Sequence, residues 1–389
     1  MKNKKLLVNI AVLVVALAIA LVAGADFRKM HEPDKIYTGN PAITSVKKLS
    51  DYNNNLLNTA GDTDIYVLDS GVPGGKALIY GGTHSNETAA VMNALTYIEN
   101  AVVEQGTLYV IFQANQSAFT NTLPLRAQMS HMNFTLPDGS VRSVRMGSRL
   151  ANPVHQWPDP NYRLNSSGRV LKQNEIAEIR NLNRNHPGME EGYLVEMVAY
   201  GIRNLIDTEG IDFIFDGHEA SPEFLRVNYL IAHDRAMNLG STAILNASLD
   251  AMMEGNMEGY PFKLDLSGAT SWGLSHRALG DNTATLATLF ESLNPVMGFC
   301  HGKVNEELVK EGKSDNYVKI TDMGLLDSGE LTDAGSPIEL RTAYHMEISR
   351  QLLNAMGELD PAKTVTVTGL PTFTEMVSNG LESTLKPLE

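Results

Sequence analysis

Residues 76–87 read KALIYGGTHSNE, a short apolar run that leads into a glycine-rich turn. The run from Lys76 to Tyr80 predicts a buried strand, and the two glycines after it let the backbone turn sharply. Apolar residues then recur at helical spacing through 87–103, which predicts a helix. A strand, a tight turn and a helix in this order are typical of α/β proteins.

The same alternation continues along most of the chain. Further strands are predicted at 64–68, 107–112, 211–215, 227–231 and 285–290, and further helices at 193–206, 237–253 and 338–356. Apolar strands that alternate with helices favour a largely parallel sheet covered on both faces. We therefore predict a three-layer α/β/α fold with a mostly parallel, mixed central sheet.

The remaining segments suggest the domain organisation. A main domain is expected at 60–358, preceded by a polar lead-in at 26–59. Residues 120–180 are polar and rich in proline and glycine, so we expect a long insertion or a set of binding loops there. In the tail at 359–389, the stretch 364–368 is the part that can add a strand.

The N-terminus has the features of an export signal. Three lysines precede the apolar run 6–25, which ends in Ala23-Gly24-Ala25. This arrangement is typical of a secretory signal peptide. The run is also nearly long enough to span a bilayer, so an uncleaved anchor is the alternative. Either interpretation predicts a protein exported to the periplasm or the cell exterior.

Composition excludes several classes of function. The formal net charge is −14, so the basic surface that nucleic-acid binding requires is absent. Cys300 is the only cysteine, which excludes an intramolecular disulfide and a cysteine-based metal cluster. We expect Cys300 to be a small buried residue.

His84 and Glu87 are the first candidate site residues. An imidazole nitrogen and a carboxylate oxygen are both good zinc ligands. We expect the two residues to lie in the first turn of the helix, where a separation of three places side chains on one side. The pattern His-x-x-Glu is common by chance, so a helix-capping pair is the alternative without further support.

A second strand supplies that support. Residues 213–218 read FIFDGH, an apolar run that delivers Asp216 and His218 to the carboxyl edge of the sheet, where open α/β sheets bind ligands. His218 is then the natural third ligand and leaves one metal position open for water. Asp216 has the same facing and is placed to orient a ligand imidazole.

Two further motifs complete a recognisable set. Residues 113–119 read QANQSAF and residues 181–188 read NLNRNHPG. Together with GGTHSNE and FDGH, in this order, they resemble the zinc carboxypeptidase superfamily. The branch most similar is the succinylglutamate desuccinylase/aspartoacylase family, and the resemblance spans about 65–295.

The resemblance implies roles for individual residues. It implies one Zn2+ per chain, held by His84, Glu87 and His218. It also implies that Glu291, in the segment LFESLNP at 289–295, transfers the proton between water and the leaving amine. Glu219 is the second choice for this base.

Substrate contacts follow from the same motifs. Asn183 and Arg184 match the pair that grips a substrate carboxylate, a task suited to the planar guanidinium. Arg126 is expected to stabilise the oxyanion, with Arg145, Arg149 and Arg163 as competing assignments. The motifs support no role for the remaining candidate histidines, which we expect to be structural or surface residues: His186, His233, His276 and His345.

The chain departs from the family pattern in three respects. Asn181 stands where the family usually has Asp, so either zinc binds less tightly or Asp216 compensates. The 120–180 segment is longer than expected, and most members of the desuccinylase branch are cytoplasmic whereas this chain carries an export signal.

The sequence thus predicts an exported zinc hydrolase that cleaves an amide bond, either in an N-acyl amino acid or in a peptide with a free carboxylate. The alternative is a non-catalytic exported binding protein that uses Arg184 to capture carboxylates. Retention of Glu291 favours the enzyme, since a binder has no need of an acid-base carboxylate. The Gly-x-Ser-x-Gly and His-Glu-x-x-His motifs of other hydrolases are absent.

Overall fold

The computed structural model describes residues 2–32, 34–122, 129–172, 178–224, 226–298, 300–324 and 335–388. They form two compact units, Met1–Ile36 and Tyr37–Glu389. The first contains helix α1 (Lys2–Met30). Its stretch Lys4–Met30 is long and apolar enough to cross a membrane. A signal sequence has the same properties, so both expected roles of this segment fit the helix.

The second unit contains the remaining elements. Its strands are β1 (Ser45–Lys48), β2 (Asp64–Asp69), β3 (Lys76–Tyr80), β4 (Val102–Gln105), β5 (Thr107–Ile111), β6 (His131–Thr135), β7 (Val141–Arg145), β8 (Tyr162–Leu164), β9 (Val170–Lys172), β10 (Phe213–Ala220), β11 (Tyr229–Ala232), β12 (Lys263–Leu266), β13 (Leu286–Leu293) and β14 (Thr366–Thr368). Its helices are α2 (Thr88–Asn100), α3 (Leu194–Glu209), α4 (Met237–Met253), α5 (Ser275–Asn282), α6 (Glu306–Glu311), α7 (Asp315–Asp322), α8 (Ile338–Leu359) and α9 (Phe373–Asn379).

A mixed central sheet organises this unit. Its strand order is β1-β2-β5-β3-β10-β13-β11-β12. The central strands β5, β3, β10 and β13 run parallel to one another, as β11 does to β12. Strands β1 and β2 at one side and the β11–β13 pairing at the other are antiparallel. The predicted sheet type is confirmed.

Helices cover both faces of the sheet. On one face, Leu78 of β3 and Ile214 of β10 are fully buried in a cluster with Val198 of α3. On the opposite face, the ring of Phe215 in β10 meets the ring of His345 in α8 edge-on. Because successive side chains of a strand point to opposite faces, one apolar strand supplies both contacts. The expected three-layer α/β/α architecture is confirmed.

The helix predicted at 87–103 is shorter than expected. Helix α2 ends at Asn100, and Val102 and Val103 begin strand β4. Consecutive β-branched residues favour a strand over the last turn of a helix. Strand β4 pairs with β14, so the strand expected at 364–368 is confirmed.

Other differences lie outside the apolar core. The polar lead-in contains β1, an edge strand whose mostly exposed side chains give no apolar alternation. The insertion contains two hairpins, β6–β7 and β8–β9. Cys300 is partly exposed rather than buried. Cys300 lies in the loop between β13 and α6, and its backbone N–H donates to Oε1 of Glu223.

Candidate active site

The turn after β3 carries His84 and Glu87. Gly82 has a φ of 73°, and a Cβ on it would lie 2.5 Å from the carbonyl oxygen of Phe112. Glycine is therefore required where the chain turns. The N–H of Glu87 donates to the carbonyl of His84 at 3.2 Å, and α2 begins only at Thr88. The prediction that both residues lie in the first turn of the helix is therefore wrong. His84 and Glu87 instead lie in a tight turn that precedes the helix.

The carboxylate of Glu87 lies between two imidazoles. Nδ1 of His84 is 2.7 Å from Oε1, and Nδ1 of His218 is 2.8 Å from Oε2. Each of the three residues is about 1% exposed. Potential ligand atoms of the three all lie within 4.8 Å of one another. The fold thus brings together the three residues that the sequence singles out, from two segments more than a hundred positions apart.

The outer nitrogen of each imidazole also faces an oxygen. Nε2 of His84 is 2.8 Å from Oδ1 of Asn181, and Nε2 of His218 is 3.0 Å from Oδ2 of Asp216. The N–H of Asn183 donates to the same Oδ1 at 3.0 Å, which fixes that atom as the oxygen. The amide of Asn181 therefore orients His84. Nε2 of His218 makes no hydrogen bond among the described residues despite the short distance, and Asp216 instead accepts from the hydroxyls of Thr83 and Ser275. Asp216 does not compensate for the missing aspartate at 181.

These contacts test whether a cation fits. A neutral imidazole carries one N–H, yet both nitrogens of His84 face acceptors. Burial, with Arg149 adding to it, lowers the pKa of His84 to about 4, so the ring is neutral at pH 7. A divalent cation held by His84, Glu87 and His218 would remove the mismatch, because each ring could then keep its one N–H on Nε2. The donor set fits such a cation.

His218 differs in charge from His84. Burial alone would lower its pKa, but the carboxylates of Asp216 and Glu87 on either side hold that pKa well above the ordinary value. Without a cation the ring is thus an imidazolium. Cation binding must displace this proton, so affinity for a metal will fall as pH falls.

Glu291 lies directly beside His218. The two residues are register partners in the parallel pairing of β10 and β13, so their side chains share one face of the sheet. Glu291 is partly exposed and lines a cavity of about 560 Å³. Burial raises the pKa of its carboxyl to about 7. A carboxylate with a pKa near the working pH is well suited to general base catalysis.

Glu219 is not placed for that role. It follows His218 in the strand and therefore points to the opposite face. Its Oε1 accepts from Arg341 of α8 at 2.6 Å, and its Oε2 accepts from the N–H of Ala89 at 3.0 Å. Glu219 is 1% exposed. Its buried ion pair with Arg341 ties α8 to the sheet, and its hydrogen bond from Ala89 ties the start of α2 to the sheet. These contacts occupy both carboxylate oxygens of Glu219, so Glu291 remains the preferred candidate for the base.

Three arginines line the cavity: Arg149, Arg184 and Arg226. Nη1 of Arg149 is 3.0 Å from Oε1 of Glu87, and Arg149 lines the cavity. Nε of Arg184 donates to Glu178 at 2.8 Å, and its Nη1 donates to the carbonyl of Asn183 at 2.6 Å. Among the described residues, Nη2 of Arg184 has no hydrogen-bond acceptor, although the residue lines the cavity. The pair expected to bind a carboxylate, Asn183 and Arg184, is thus at the cavity.

The candidate arginines for the oxyanion differ in whether they lie at the cavity. Arg126 lies outside the described residues. Arg163 pairs with Glu196, and Arg145 is buried on β7; neither is among the described residues that line the cavity. Arg149 is the competitor that adjoins the histidines. The sequence left it open because its position depends on the path of the whole insertion.

His276 is a cavity residue that sequence reasoning missed. It lines the cavity, and its Nδ1 is 2.7 Å from Oγ of Ser267. Burial lowers its pKa to about 3, so the ring is neutral at pH 7. No local motif marks it. The other three histidines for which the motifs support no role are buried: His186, His233 and His345.

The fold and this constellation define a class of protein: an α/β/α protein with a buried His-Glu-His cluster at the edge of a mixed sheet, beside a cavity whose lining includes Glu291, Arg149 and Arg184. A scan of protein families found no match. A search of the curated proteins likewise found none.

Solved structures do match. They include the product-bound ectoine utilization protein EutE (DoeB) from Ruegeria pomeroyi, at 17% identity and a TM-score of 0.37 over 75% of this chain and 60% of that one. A metallo-carboxypeptidase from Burkholderia cenocepacia matches at 14% identity and a TM-score of 0.46 over 86% and 69%. A succinylglutamate desuccinylase/aspartoacylase from Rhodobacter sphaeroides matches at 16% identity and a TM-score of 0.34 over 70% and 63%.

Two of these three structures are named as a metallo-carboxypeptidase and a succinylglutamate desuccinylase/aspartoacylase. This chain covers less than two thirds of the length of the Ruegeria pomeroyi and Rhodobacter sphaeroides proteins.

Proposed function

We propose that this protein is an exported zinc-dependent hydrolase that cleaves an amide bond beside a free carboxylate. The observation that carries the proposal is the double acceptor environment of His84 and His218. Their Nδ1 atoms face the two oxygens of Glu87, while Nε2 of His84 faces Oδ1 of Asn181 and Nε2 of His218 is 3.0 Å from Oδ2 of Asp216. A buried donor set of this composition supports a bound cation, and the nitrogen and oxygen donors suit Zn2+.

The residues around the cluster divide the chemical work. Zinc, when bound, supplies a Lewis acid that polarises a carbonyl and lowers the pKa of a water molecule to about 7. Glu291 accepts a proton from the attacking water and passes it to the leaving amine nitrogen. Because the pKa of Glu291 is raised to about 7, its carboxylate can both accept and release this proton at neutral pH.

Arginines complete the site. The free Nη2 of Arg184 and the amide of Asn183 bind the substrate carboxylate, which orients the amide bond toward Glu291. Arg149 donates to the carbonyl oxygen as negative charge develops there. We assign this role to Arg149 because it contacts Glu87 and lines the cavity. The apolar helix α1 supports export, as a cleaved signal or as an anchor.

The test combines metal analysis with turnover. The full-length chain, purified in detergent, is loaded with zinc and assayed on a panel of N-acyl amino acids and peptides, with and without a chelator. We expect turnover that the chelator abolishes. His84→Ala should lose both metal and turnover, whereas Glu291→Gln should keep the metal and lose about 10²–10⁴-fold in kcat.

Glu258→Gln is the matched control, because Glu258 is exposed and should retain wild-type turnover. If metal and carboxylate ligands bind but no substrate is cleaved, the enzyme assignment fails and the non-catalytic binding protein takes its place. If the folded chain holds no zinc at all, both the ligand set and the mechanism are wrong.

A further inference from the structure

The guanidinium of Arg184 is held in part by a residue outside the cavity. Its Nε donates to Oε1 of Glu178 at 2.8 Å, and its Nη1 donates to the carbonyl of Asn183 at 2.6 Å. The side chain of Glu178 is 13% exposed, and Glu178 is not among the described residues that line the cavity. Glu178 therefore contacts the arginine and not a ligand that the arginine binds.

A second arginine in turn holds Glu178. Nη2 of Arg169 donates to both carboxylate oxygens of Glu178, at 3.2 and 3.1 Å. Arg169 directly precedes strand β9, and its backbone N–H donates to Oδ1 of Asn165 in the hairpin turn at 2.8 Å. Because Arg169 engages both oxygens, only Oε1 of Glu178 reaches Arg184. Nη2 of Arg184 is thereby left without an acceptor in the described part of the chain.

The turn of the β8–β9 hairpin is also hydrogen-bonded to the backbone near Arg184. Nδ2 of Asn165 donates to the carbonyl of Arg184 at 2.5 Å, and the N–H of Gly188 donates to Oγ of Ser166 at 3.1 Å. The hairpin thus fixes the backbone of this segment, while the contacts of Glu178 fix the side chain of the arginine.

Repulsion between positive charges makes this support necessary. Burial, followed by the charges of Arg149 and Arg169, lowers the pKa of Arg184, whereas Glu178 raises it. Glu178 accepts from Arg169 and Arg184 at once, so one carboxylate offsets the repulsion between two guanidiniums. Without that carboxylate, the like charges would drive Arg184 out of its position.

We propose that Glu178 is a positioning residue that sets the preference of the cavity for a carboxylate ligand, with Arg169 restricting Glu178 to a one-oxygen contact. A guanidinium recognises a carboxylate through the fixed geometry of its donors, so its orientation decides affinity. This role rests on the proposed function and deepens it, because it identifies what orients the arginine assigned to the substrate carboxylate. Removing a negative charge beside an anion site would by charge alone strengthen anion binding, whereas loss of orientation weakens it.

Calorimetry on the full-length Glu291→Gln chain, with zinc supplied, measures binding without turnover. The ligands are a panel of N-acetyl amino acids, each paired with its carboxamide. Glu178→Ala should raise the Kd of the acids by roughly tenfold or more, since a charge-assisted hydrogen bond is lost, and change the Kd of the carboxamides by less than about twofold. Glu178→Gln keeps an oxygen at the same reach for Nε of Arg184 and should recover part of the lost affinity.

Arg169→Met is a second, independent variant. It releases Oε2 of Glu178, which can then accept from Nη2 of Arg184, the donor that a ligand requires. The Kd of the acids should therefore rise several-fold. Because both substitutions act through one contact, the double variant Glu178→Ala/Arg169→Met should bind the acids no more weakly than Glu178→Ala alone.

Glu191→Ala is the matched control, because it removes the same charge from an exposed position before α3 and should leave every Kd unchanged. If Glu178→Ala binds the acids as tightly as its parent or more tightly, the positioning role is overturned, even if the wild type hydrolyses the acids. Equal weakening of acids and carboxamides, or a parent chain that does not prefer the acids, overturns it as well. If the preference is present and Glu178→Ala abolishes it, but the wild type turns over no ligand of the panel, the positioning role stands and the proposed hydrolase fails.

Discussion

Asn181→Asp should tighten zinc binding, because it replaces the neutral partner of a metal-facing imidazole with an anion. The amide Oδ1 of Asn181 is 2.8 Å from Nε2 of His84, and both residues are buried. A neutral hydrogen bond contributes about 1 kcal/mol net, and one to a charged group contributes about 1.5–3 kcal/mol. The gain is then about 1 kcal/mol, which corresponds to roughly a five- to tenfold lower Kd.

The substitution fits the site without breaking a contact. Among the described residues no acceptor takes a hydrogen bond from Nδ2 of Asn181, so an oxygen in its place loses nothing. The new carboxylate adds to the negative charge of Glu87 and Asp216, so the metal-free variant should unfold at a lower temperature than the metal-free wild type. Saturating zinc should reverse the order of the two melting temperatures.

The assay is competition for zinc with a chromophoric chelator at fixed pH. Asn181→Leu, which removes the acceptor, should weaken binding by roughly ten- to hundredfold. Asn256→Asp is the control, since it adds the same charge at an exposed position. The reasoning is refuted if Asn181→Asp binds zinc no more tightly than Asn256→Asp, or if Asn181→Leu retains the wild-type Kd.

Three further predictions concern catalysis, stability and substrate orientation. Burial raises the pKa of Glu291 to about 7, and the base must be deprotonated, so kcat/KM should fall as the pH drops below about 7. A pH profile whose acid limb lies near 4.5, the ordinary pKa of a glutamate, would contradict the assignment. Arg341→Met strands a buried carboxylate and should lower the free energy of unfolding in urea by about 3–5 kcal/mol, and a loss under 1 kcal/mol would contradict the buried ion pair. Gly273→Ala should displace Arg184 and lower kcat/KM by roughly tenfold or more. The control is Gly210→Ala, where φ is also positive but no atom lies within 4 Å of a Cβ; equal losses in the two variants would rule out the contact as the cause.

Local patterns carried most of the information about the fold. The strands that form the middle of the sheet are apolar over most of their length, and parallel strands buried on both faces require such runs. The edge strand β1 reads SVKK and is largely exposed, so its sequence is indistinguishable from a polar loop. The helices α6 and α7 are short, and their apolar spacing covers too few turns to be recognised. Sequence alone therefore predicts the centre of the molecule better than its margins.

The candidate site shows the same division between local and long-range information. His84 and Glu87 share one turn, and His218 lies in a strand next to β3, so motif order is enough to place them together. Arg149 comes from an insertion whose path no periodicity describes, which is why the sequence left it among several alternatives, whereas Arg184 lies in a motif. His276 is brought in by α5 and is not part of any motif.

The choice between Glu219 and Glu291 rests on a rule that sequence analysis can apply once the strands are known. Side chains alternate across a strand, so the residue directly after His218 must leave the metal face, whereas its register partner on the neighbouring parallel strand must share it. Glu291 is that partner, and Glu219 instead meets Arg341, which lies more than a hundred residues away in the chain. The register between β10 and β13 therefore favours Glu291 over Glu219 as the candidate base. Shifting it by one residue would turn Glu291 away from the cavity and away from the face of the sheet that carries His218.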